Sequence, residues 1–425
     1  MFRQFYIKNI LCININMELE NNILEKYNIK LYNETYSTCD IINDFLNNNQ
    51  NEQPFYIIDI GEIIKAYKKW TAHFPNIKPY YAVKCNPNPV ILHVLSSLGT
   101  YFDCASENEI KTIVELTNDP DTIIFANPCK MSSQIKYARA NDVDLMTFDC
   151  EEELYKIKLY HPYANLVLRL AVDDSHSVCK FNSKFGCKLE NIEILINLIK
   201  LLKLKLVGFS FHVGSDCKSV ESYYSAIQTC REAYDLAAKH DIKINIIDIG
   251  GGFPGIYVEG GINIEQISEK INQAQRDFFG EEVDNNTVRF IAEPGRYFVQ
   301  KSHTLVLNVI GKKRETIYND VTEENEEIII YYLNDGVYGS FNCIYFDNKK
   351  PIILPFNERN EKTLYKSKIF GPTCDSIDLI SKEIMLPELA IGEWVYVDNF
   401  GAYTTAASSS FNGFITTDYK YILKN

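Results

Sequence analysis

Residues 79–116, PYYAVKCNPNPVILHVLSSLGTYFDCASENEIKTIVEL, contain the pattern that decides the fold. A short apolar run, Pro79–Val83, is followed by an amphipathic stretch, Val90–Leu98, and the same order repeats with Thr100–Phe102 and Ser106–Leu116. Apolar runs of this length predict buried strands, and the longer amphipathic stretches predict helices. Strands joined by helical crossovers run parallel to one another, so this alternation predicts a parallel sheet.

The same unit continues as far as residue 293. The further apolar runs are Thr122–Phe125, Asp144–Phe148, Asn165–Leu170, Leu204–Phe211, Asn245–Ile249 and Arg289–Ala292. The helix-like segments between them are Ser132–Asn141, Glu151–His161, Glu190–Leu202, Ser222–His240 and Ile264–Phe279. Eight parallel strands match a closed (β/α)8 barrel of the TIM type, whereas an open doubly wound sheet, the alternative, has fewer strands. The earlier run Phe55–Asp59 is predicted to lead into the barrel.

Strand-like runs with little helical periodicity follow Arg296 and predict a second, mostly β domain of Greek-key-like topology. They are Tyr297–Ile310, Glu327–Leu333, Ile352–Phe356, Trp394–Val397 and Gly413–Thr417. The acidic stretch Asn319–Glu327 predicts a solvated loop, and Asn47–Gln53 a polar linker. We therefore predict an N-terminal segment, 1–52, that packs with the β domain, a barrel domain over residues 53–298, and a C-terminal β domain over residues 299–425.

The composition argues against several classes of protein. The chain has 425 residues with a net charge of −13, so it lacks the basic character of a nucleic-acid-binding protein. No apolar run approaches the roughly 18 residues that a membrane-spanning helix needs. Its 12 cysteines include no C-x-x-C pair, which disfavours both a metal site and a secreted disulfide framework. Free thiols and a cytoplasmic location are therefore expected.

Polar residues stand at the ends of the predicted barrel strands. Because the chemistry of such barrels lies on the loops after the strands, these residues are the candidates for an active site. They are Lys84, Asp103, Asn127, Arg169, His212, Gly250–Gly252, Glu293 and Arg296.

Together, these groups match the requirements of pyridoxal 5'-phosphate (PLP). A partly desolvated Lys84 can form a Schiff base, the glycines of Gly250–Gly252 admit a phosphate, and Arg296 can hold the same phosphate. Glu293 can pair with a protonated pyridine nitrogen, and His212 can stack on the ring. Taken singly, each has a plainer explanation: a surface lysine, a tight turn, a core histidine, or an i, i+3 ion pair. Their shared position at the strand ends is what favours the cofactor site.

Nine motifs in order along the chain resemble the eukaryotic ornithine decarboxylases, which belong to the PLP-dependent, alanine-racemase-like decarboxylases. They are PYYAVKCN (79–86), FDCASENEI (102–110), FANPCK (125–130), FHVGS (211–215), DIGGGFPG (248–255), EPGRY (293–297), NDGVYGSFN (334–342), GPTCDSID (371–378) and NFGAYTTAASSSFNGF (399–414). The resemblance implies a PLP barrel with a β domain, and a homodimer with two shared active sites. It also implies conversion of L-ornithine into putrescine and CO2, the first step of polyamine biosynthesis.

The resemblance also implies the roles of individual residues. Lys84 would bind PLP, Glu293 would keep the pyridine nitrogen protonated, and His212 would stack on the ring. The other cofactor-binding positions implied are Asp103, Glu109, Arg169, Ser215, Gly251, Gly252, Arg296 and Tyr403. In the β domain, Cys374 would return a proton to the substrate's α-carbon. The implied substrate-binding residues are Asp347, Asp375, Tyr338 and Phe411, and the implied ion pair between subunits is Lys184 with Asp378.

One departure from the family leaves the substrate open. This chain has Phe346-Asp347-Asn348 where the family usually has Tyr-Asp-His, so the preference among ornithine, lysine and arginine is less secure than the reaction. A lysine, arginine or diaminopimelate decarboxylase is one alternative. A catalytically inactive, antizyme-inhibitor-like binding protein is the other, although the full set of PLP-site residues favours an enzyme. An antizyme-like regulator is a candidate partner.

Overall fold

The computed structural model of the protein describes residues 23–47, 52–179, 183–319, 324–357, 363–414 and 418–424. These residues divide into two units. The first is Ile64–Val299, and the second joins the described residues up to Ile63 with those from Gln300 onward. Within these ranges, no helix combines the length and the apolar character that crossing a membrane would require.

Eight parallel strands form a closed barrel in the first unit, which confirms the predicted (β/α)8 fold. The strands are Ile77–Ala82, Tyr101–Cys104, Ile123–Phe125, Leu145–Phe148, Asn165–Arg169, Lys205–Ser210, Ile246–Asp248 and Arg289–Ala292. The last strand pairs with the first, where Ile291 lies opposite Lys78. A separate two-stranded ribbon, Ser177–Cys179 with Ser215–Cys217, adjoins the loops of this unit.

The helices of the barrel alternate with its strands, as the amphipathic stretches predicted. They are Ile60–His73, Pro89–Ser97, Glu107–Thr117, Ser132–Ala140, Glu151–Tyr160, Ile192–Leu202, Val220–Lys239 and Ile264–Asp284, with a short helix at Arg296–Val299. Capping residues mark the first turn of several of these helices. Asn88 caps the helix that starts with Pro89, and Asn263 forms a capping box with Gln266.

The barrel interior is filled by apolar side chains that come from different strands. They are Tyr80, Ile124, Val167, Val207, Ile246 and Ile291. Each such side chain, when fully buried, contributes roughly 1.5–3 kcal/mol to folding. The polar strand ends therefore rest on a packed core rather than on an open pore.

The second unit is built on a nine-stranded mixed sheet. Its strands run in the order Lys30–Tyr32, Asp418–Lys424, Phe55–Asp59, His303–Asn319, Glu324–Leu333, Tyr365–Phe370 and Leu379–Leu386. The strand Trp394–Val397 pairs with His303–Asn319 and with Leu354–Pro355. The helix Thr38–Asn47 packs on this sheet through a cluster that includes Ile41, Ile42 and Val306, and a short helix spans Cys343–Phe346.

The predicted start of the barrel at residue 53 is wrong. The run Phe55–Asp59 pairs with His303–Val306 and with Asp418–Ile422, so it is a strand of the β unit. The unit boundary lies after Ile63, within the helix that follows this strand. A buried apolar run indicates a strand but not its partners, because those partners lie far away in the sequence.

Three boundaries in the β unit also differ from the predictions. The predicted strand Tyr297–Ile310 begins only at His303, because Arg296–Val299 is helical. The predicted acidic loop Asn319–Glu327 includes strand residues at both ends, while residues 320–323 lie outside the described ranges. Of the predicted strand Gly413–Thr417, Gly413 ends a 3-10 turn and residues 415–417 also lie outside the described ranges.

Candidate active site

The polar residues predicted at the strand ends lie on one rim of the barrel. Lys84 sits in the turn Val83–Cys85 directly after the first strand, and Asp103 lies near the end of the second. Arg169 ends the fifth strand, and Glu293 follows the eighth. Parallel strands in a closed barrel all end at the same face, so residues more than 200 positions apart in sequence line one mouth.

Lys84 and Asp103 form an ion pair at this mouth. The Lys84 Nζ lies 2.9 Å from the Asp103 Oδ2, with the lysine side chain 46% exposed and the aspartate side chain 1% exposed. The other aspartate oxygen, Oδ1, is buried and accepts no hydrogen bond from the described residues. The carboxylate therefore orients an amine that ligands can still reach from the open side of the rim.

His212 is a neutral imidazole held in one orientation. Burial, together with the positive charges of Arg169 and Lys84, lowers its pKa well below the ordinary value. The backbone N–H of Gly214 donates to its Nδ1 at 3.0 Å, which leaves the proton of the neutral ring on Nε2. An uncharged flat ring of this kind is suited to contact with an aromatic ligand.

The turn after the seventh strand can be built only from glycine. Gly250 and Gly252 have φ angles of +63° and +101°. A Cβ on Gly252 would lie 2.7 Å from the Gly214 carbonyl oxygen, and one on Gly251 would lie 2.8 Å from the His212 Nε2. The backbone therefore comes unusually close to its surroundings, as it does where peptide N–H groups surround an anion.

Arg296 places a guanidinium group in the same region. The residue is only 5% exposed, and its Nη2 donates to the Ser215 hydroxyl at 3.2 Å. A buried arginine needs an anionic partner, and a phosphate accepts two of its hydrogen bonds at once. Ser215 and the glycine turn supply the other donors of a phosphate site.

The structure adds a carboxyl group, Asp248, that the sequence analysis did not identify. Asp248 ends the seventh strand with no exposed surface. Burial raises its pKa to about 7 and raises the pKa of the neighbouring Glu293 well above its usual range. The available signal was an acid closing an otherwise apolar strand, but an aspartate before glycines also fits an ordinary turn.

Glu109 and Arg169 complete the polar lining of this mouth. The Glu109 carboxylate accepts a hydrogen bond of 2.5 Å from the Ala105 backbone N–H, and burial raises its pKa. The Arg169 guanidinium lies 5.1 Å from the centre of the Phe185 ring, and burial lowers its pKa. The Lys184 ammonium lies 4.9 Å from the same ring.

The residues of the rim fit PLP in three places. Lys84 offers an amine for the aldehyde, and Arg296 with Ser215 and the glycine turn offers a phosphate site. The Glu293 Oε1 is buried, and no N–H or O–H group of the described residues donates to it. A protonated pyridine nitrogen supplies the donor that this oxygen lacks.

The β unit brings together four of the predicted residues. The Tyr338 hydroxyl donates to the Asp375 carboxylate, and the Tyr338 ring stacks on Phe411 with 4.3 Å between ring centres. Hydrogen bonds from the Ile377 N–H and from Tyr338 lower the pKa of Asp375, so its side chain is an anion at neutral pH. The exposed Cys374 precedes it in the chain.

Three further predicted residues belong to the β unit, and the backbone N–H of one of them, Asp378, donates to the Asp375 carbonyl oxygen at 3.1 Å. Asp347 follows the short helix Cys343–Phe346 and is half-buried. Tyr403 has a φ of +56°, a left-handed conformation that is uncommon for a bulky residue. Asp378 is 1% exposed and accepts hydrogen bonds from the backbone N–H groups of Val337 and Thr373. Whether Asp378 pairs with Lys184 between subunits stays a prediction.

Comparisons with known proteins agree with this site. Residues 60–300 match the family model described as "Pyridoxal-dependent decarboxylase, pyridoxal binding domain". Ornithine decarboxylase of Rattus norvegicus is 40% identical over 407 residues, which cover 94% of this chain and 87% of that protein. Antizyme inhibitor 2 of Xenopus laevis is 40% identical over 406 residues, which cover 94% and 88%.

A solved structure matches most of this chain. The arginine decarboxylase of Paramecium bursaria Chlorella virus, bound to agmatine, superposes with a TM-score of 0.84 at 35% identity, over 91% of this chain and 100% of the viral one. These matches, the barrel and its cofactor site make PLP the cofactor and amino-acid decarboxylation the reaction class. The chain belongs to the pyridoxal-dependent decarboxylases, in the group that contains the eukaryotic ornithine decarboxylases.

Proposed function

We propose that this protein decarboxylates L-ornithine to putrescine and CO2, and so supplies polyamine synthesis. The observation that carries the proposal is the Lys84–Asp103 pair on the same barrel rim as Glu293 and the Arg296 anion site. The identity with ornithine decarboxylases over most of the chain supports the choice of substrate. Free thiols at all the described cysteines support a cytoplasmic location.

The side chains of the rim divide the chemical work among them. PLP, when bound, accepts the electron pair that is left on the α-carbon as CO2 departs. Lys84 holds the aldehyde end, and the Arg296 site holds the phosphate end, so the ring is fixed at both ends. Glu293 places a negative charge where the pyridine nitrogen is protonated, and the neutral His212 adds no charge that would compete with it.

Substrate selection falls to the carboxylates of the β unit. Asp375 is ionised at neutral pH and half-buried, and the resemblance to the family adds Asp347, also half-buried, as a second carboxylate. A carboxylate facing the terminal ammonium of a diamino acid gives a charge-assisted hydrogen bond. Phe346, 72% exposed, offers an apolar surface where the family has a phenol. Phe346 can therefore change which length of substrate side chain the site prefers.

We further propose a homodimer in which the β unit of one copy completes the barrel site of the other. Large apolar side chains are exposed around the Asp375 loop: Tyr345, Phe346, Ile377, Phe411 and Phe414 are each at least 42% exposed. Exposed apolar groups in one region are typical of a protein–protein interface. In such a dimer, Cys374 supplies the proton that the α-carbon takes up after CO2 leaves.

Competition among substrates tests the proposed reaction. The purified protein, loaded with PLP, is mixed with equal amounts of ornithine, lysine and arginine, and the products are identified by mass spectrometry. Putrescine as the main product supports the proposal. Cadaverine or agmatine as the main product would move the protein to one of the alternative decarboxylases, and no amine product would favour the inactive binding protein.

Mixing of variants tests the shared site. Chains carrying Lys84→Ala are mixed with chains carrying Cys374→Ala under conditions that allow subunits to exchange. Each mixed dimer then contains one site with both residues intact, so part of the lost activity should return. Purification in two steps, through a different affinity tag on each variant, verifies that mixed dimers exist, and their presence without any recovery would refute a site shared between copies.

A further inference from the structure

Asp248 is a buried carboxyl group to which the proposed reaction assigns no task. Its Oδ1 accepts a hydrogen bond from the Gly250 backbone N–H at 2.9 Å. Its Oδ2 is also buried, yet no N–H or O–H group of the described residues donates to it. An ionised oxygen without a donor is costly in such a place, which favours a neutral, protonated side chain.

Glu293, directly after the adjacent eighth strand, carries a second buried oxygen without a donor among the described residues. The seventh and eighth strands pair in register, with Asp248 opposite Ile291, and Glu293 lies just beyond. The Glu293 Oε1 likewise has no donor, and the Glu293 backbone N–H donates to the Gly250 carbonyl oxygen at 2.6 Å, which places the two carboxyl groups side by side. Carboxylate oxygens only accept, so a hydrogen bond between two carboxyl groups requires that the pair retain one proton.

The charges around the pair decide which member keeps that proton. The positive charge of Arg169 acts on both carboxyl groups, that of Lys84 favours the ionised form of Glu293, and Asp103 adds a negative charge that acts on both. A protonated pyridine nitrogen beside Glu293 adds a further positive charge on that side. Because a nearby cation favours the ionised form of a carboxyl group, Glu293 becomes the anion and Asp248 keeps the proton.

We propose that Asp248 is a positioning residue that stays protonated in the PLP-loaded protein and donates a hydrogen bond to the Glu293 carboxylate. This inference rests on the proposed PLP-dependent function. Asp248 thereby holds the Glu293 side chain in place without adding a second negative charge to the buried site. The Gly250 N–H occupies Oδ1 of Asp248, so Oδ2 is the oxygen that carries the proton and donates it to Glu293.

Two substitutions separate this role from simple packing. In Asp248→Asn, the amide oxygen can still accept from Gly250 and the amide N–H2 can donate to Glu293, as a protonated aspartic acid does. Asp248→Leu has a similar size but neither group. We expect the asparagine variant to bind PLP nearly as tightly as the wild type, and the leucine variant to bind it roughly ten- to a hundredfold more weakly. Asp277→Asn, an exposed aspartate that accepts a hydrogen bond from Tyr224, is the control and should leave PLP affinity unchanged.

PLP affinity is measured by equilibrium dialysis of the cofactor-free proteins, and protonation by infrared spectroscopy of the loaded ones. The wild-type spectrum minus the Asp248→Asn spectrum should show the carbonyl band of a protonated carboxylic acid. If the difference spectrum of the PLP-loaded wild type and the PLP-loaded Asp248→Asn variant lacks this band, Asp248 is ionised and the inference is overturned. Asparagine and leucine variants with equally weak affinity also overturn it. Should the leucine variant not fold, the band and the asparagine affinity decide. A wild type that fails to bind PLP overturns the proposed function itself.

Discussion

Replacing Gly252 by alanine should distinguish steric contact from backbone strain in the turn that is proposed to hold phosphate. Gly252 has a φ of +101°, and an added Cβ would lie 2.7 Å from the Gly214 carbonyl oxygen and 2.9 Å from the Tyr223 hydroxyl oxygen. Gly260 is a matched control, because its φ is +76° but nothing lies within 4 Å of an added Cβ. Both variants bear the left-handed backbone cost of about 1–2 kcal/mol, and only Gly252→Ala adds an overpacking cost of about 1–3 kcal/mol.

The two variants are compared by urea unfolding of the cofactor-free proteins and by their affinity for PLP. Gly252→Ala should lose about 2–5 kcal/mol of the free energy of unfolding, against about 1–2 kcal/mol for Gly260→Ala. Its PLP affinity should also fall, since the backbone must move away from Gly214, whereas Gly260→Ala should bind PLP normally. Equal losses of stability in the two variants would show that the close contact between Gly252 and Gly214 does not matter for folding. Normal PLP binding by Gly252→Ala would show that this contact is not required to hold the cofactor.

Three further predictions follow from buried or reactive groups. Lys84→Ala should abolish the absorbance band of protein-bound PLP and nearly all turnover, and substantial decarboxylation by this variant would refute the role of its amine. Asp248→Asn should stabilise the cofactor-free protein at pH 8 by up to about 4 kcal/mol. The reason is that the Asp248 pKa is raised to about 7 in the folded wild type, so the wild type loses stability as the pH rises from about 4 through 7. In thermal unfolding, the difference in stability between variant and wild type should shrink toward pH 5, and a difference that does not change with pH would contradict the assignment. Lys130→Met should cost about 1.5–3 kcal/mol in urea unfolding, because the fully buried Lys130 Nζ lies 2.9 Å from the buried Glu153 carboxylate, which Lys156 still neutralises in the variant. The control Lys111→Met, which breaks an exposed pair, should cost less than about 1 kcal/mol.

The barrel could be predicted from the sequence because its signals are local. Each strand is an apolar run followed within a few residues by an amphipathic helix, and the last of these runs, Arg289–Ala292, matches its strand residue for residue. The membership of Phe55–Asp59 could not be predicted in this way. Its hydrogen-bond partners lie about 250 and 360 residues further along the chain, and nothing in the run itself distinguishes a barrel strand from a strand of the β sheet.

For the site, the amino-acid order alone was enough to select the reactive groups, because Lys84, His212, Glu293 and Arg296 each follow a strand that the hydrophobic pattern had already located. Protonation and pairing were decided only in three dimensions. Asp248 lies next to Glu293 because adjacent barrel strands bring together residues 45 positions apart, and burial changes which form of each acid is stable. The energy of a charge depends on the neighbours and the water that folding places around it, and those are properties of the folded chain.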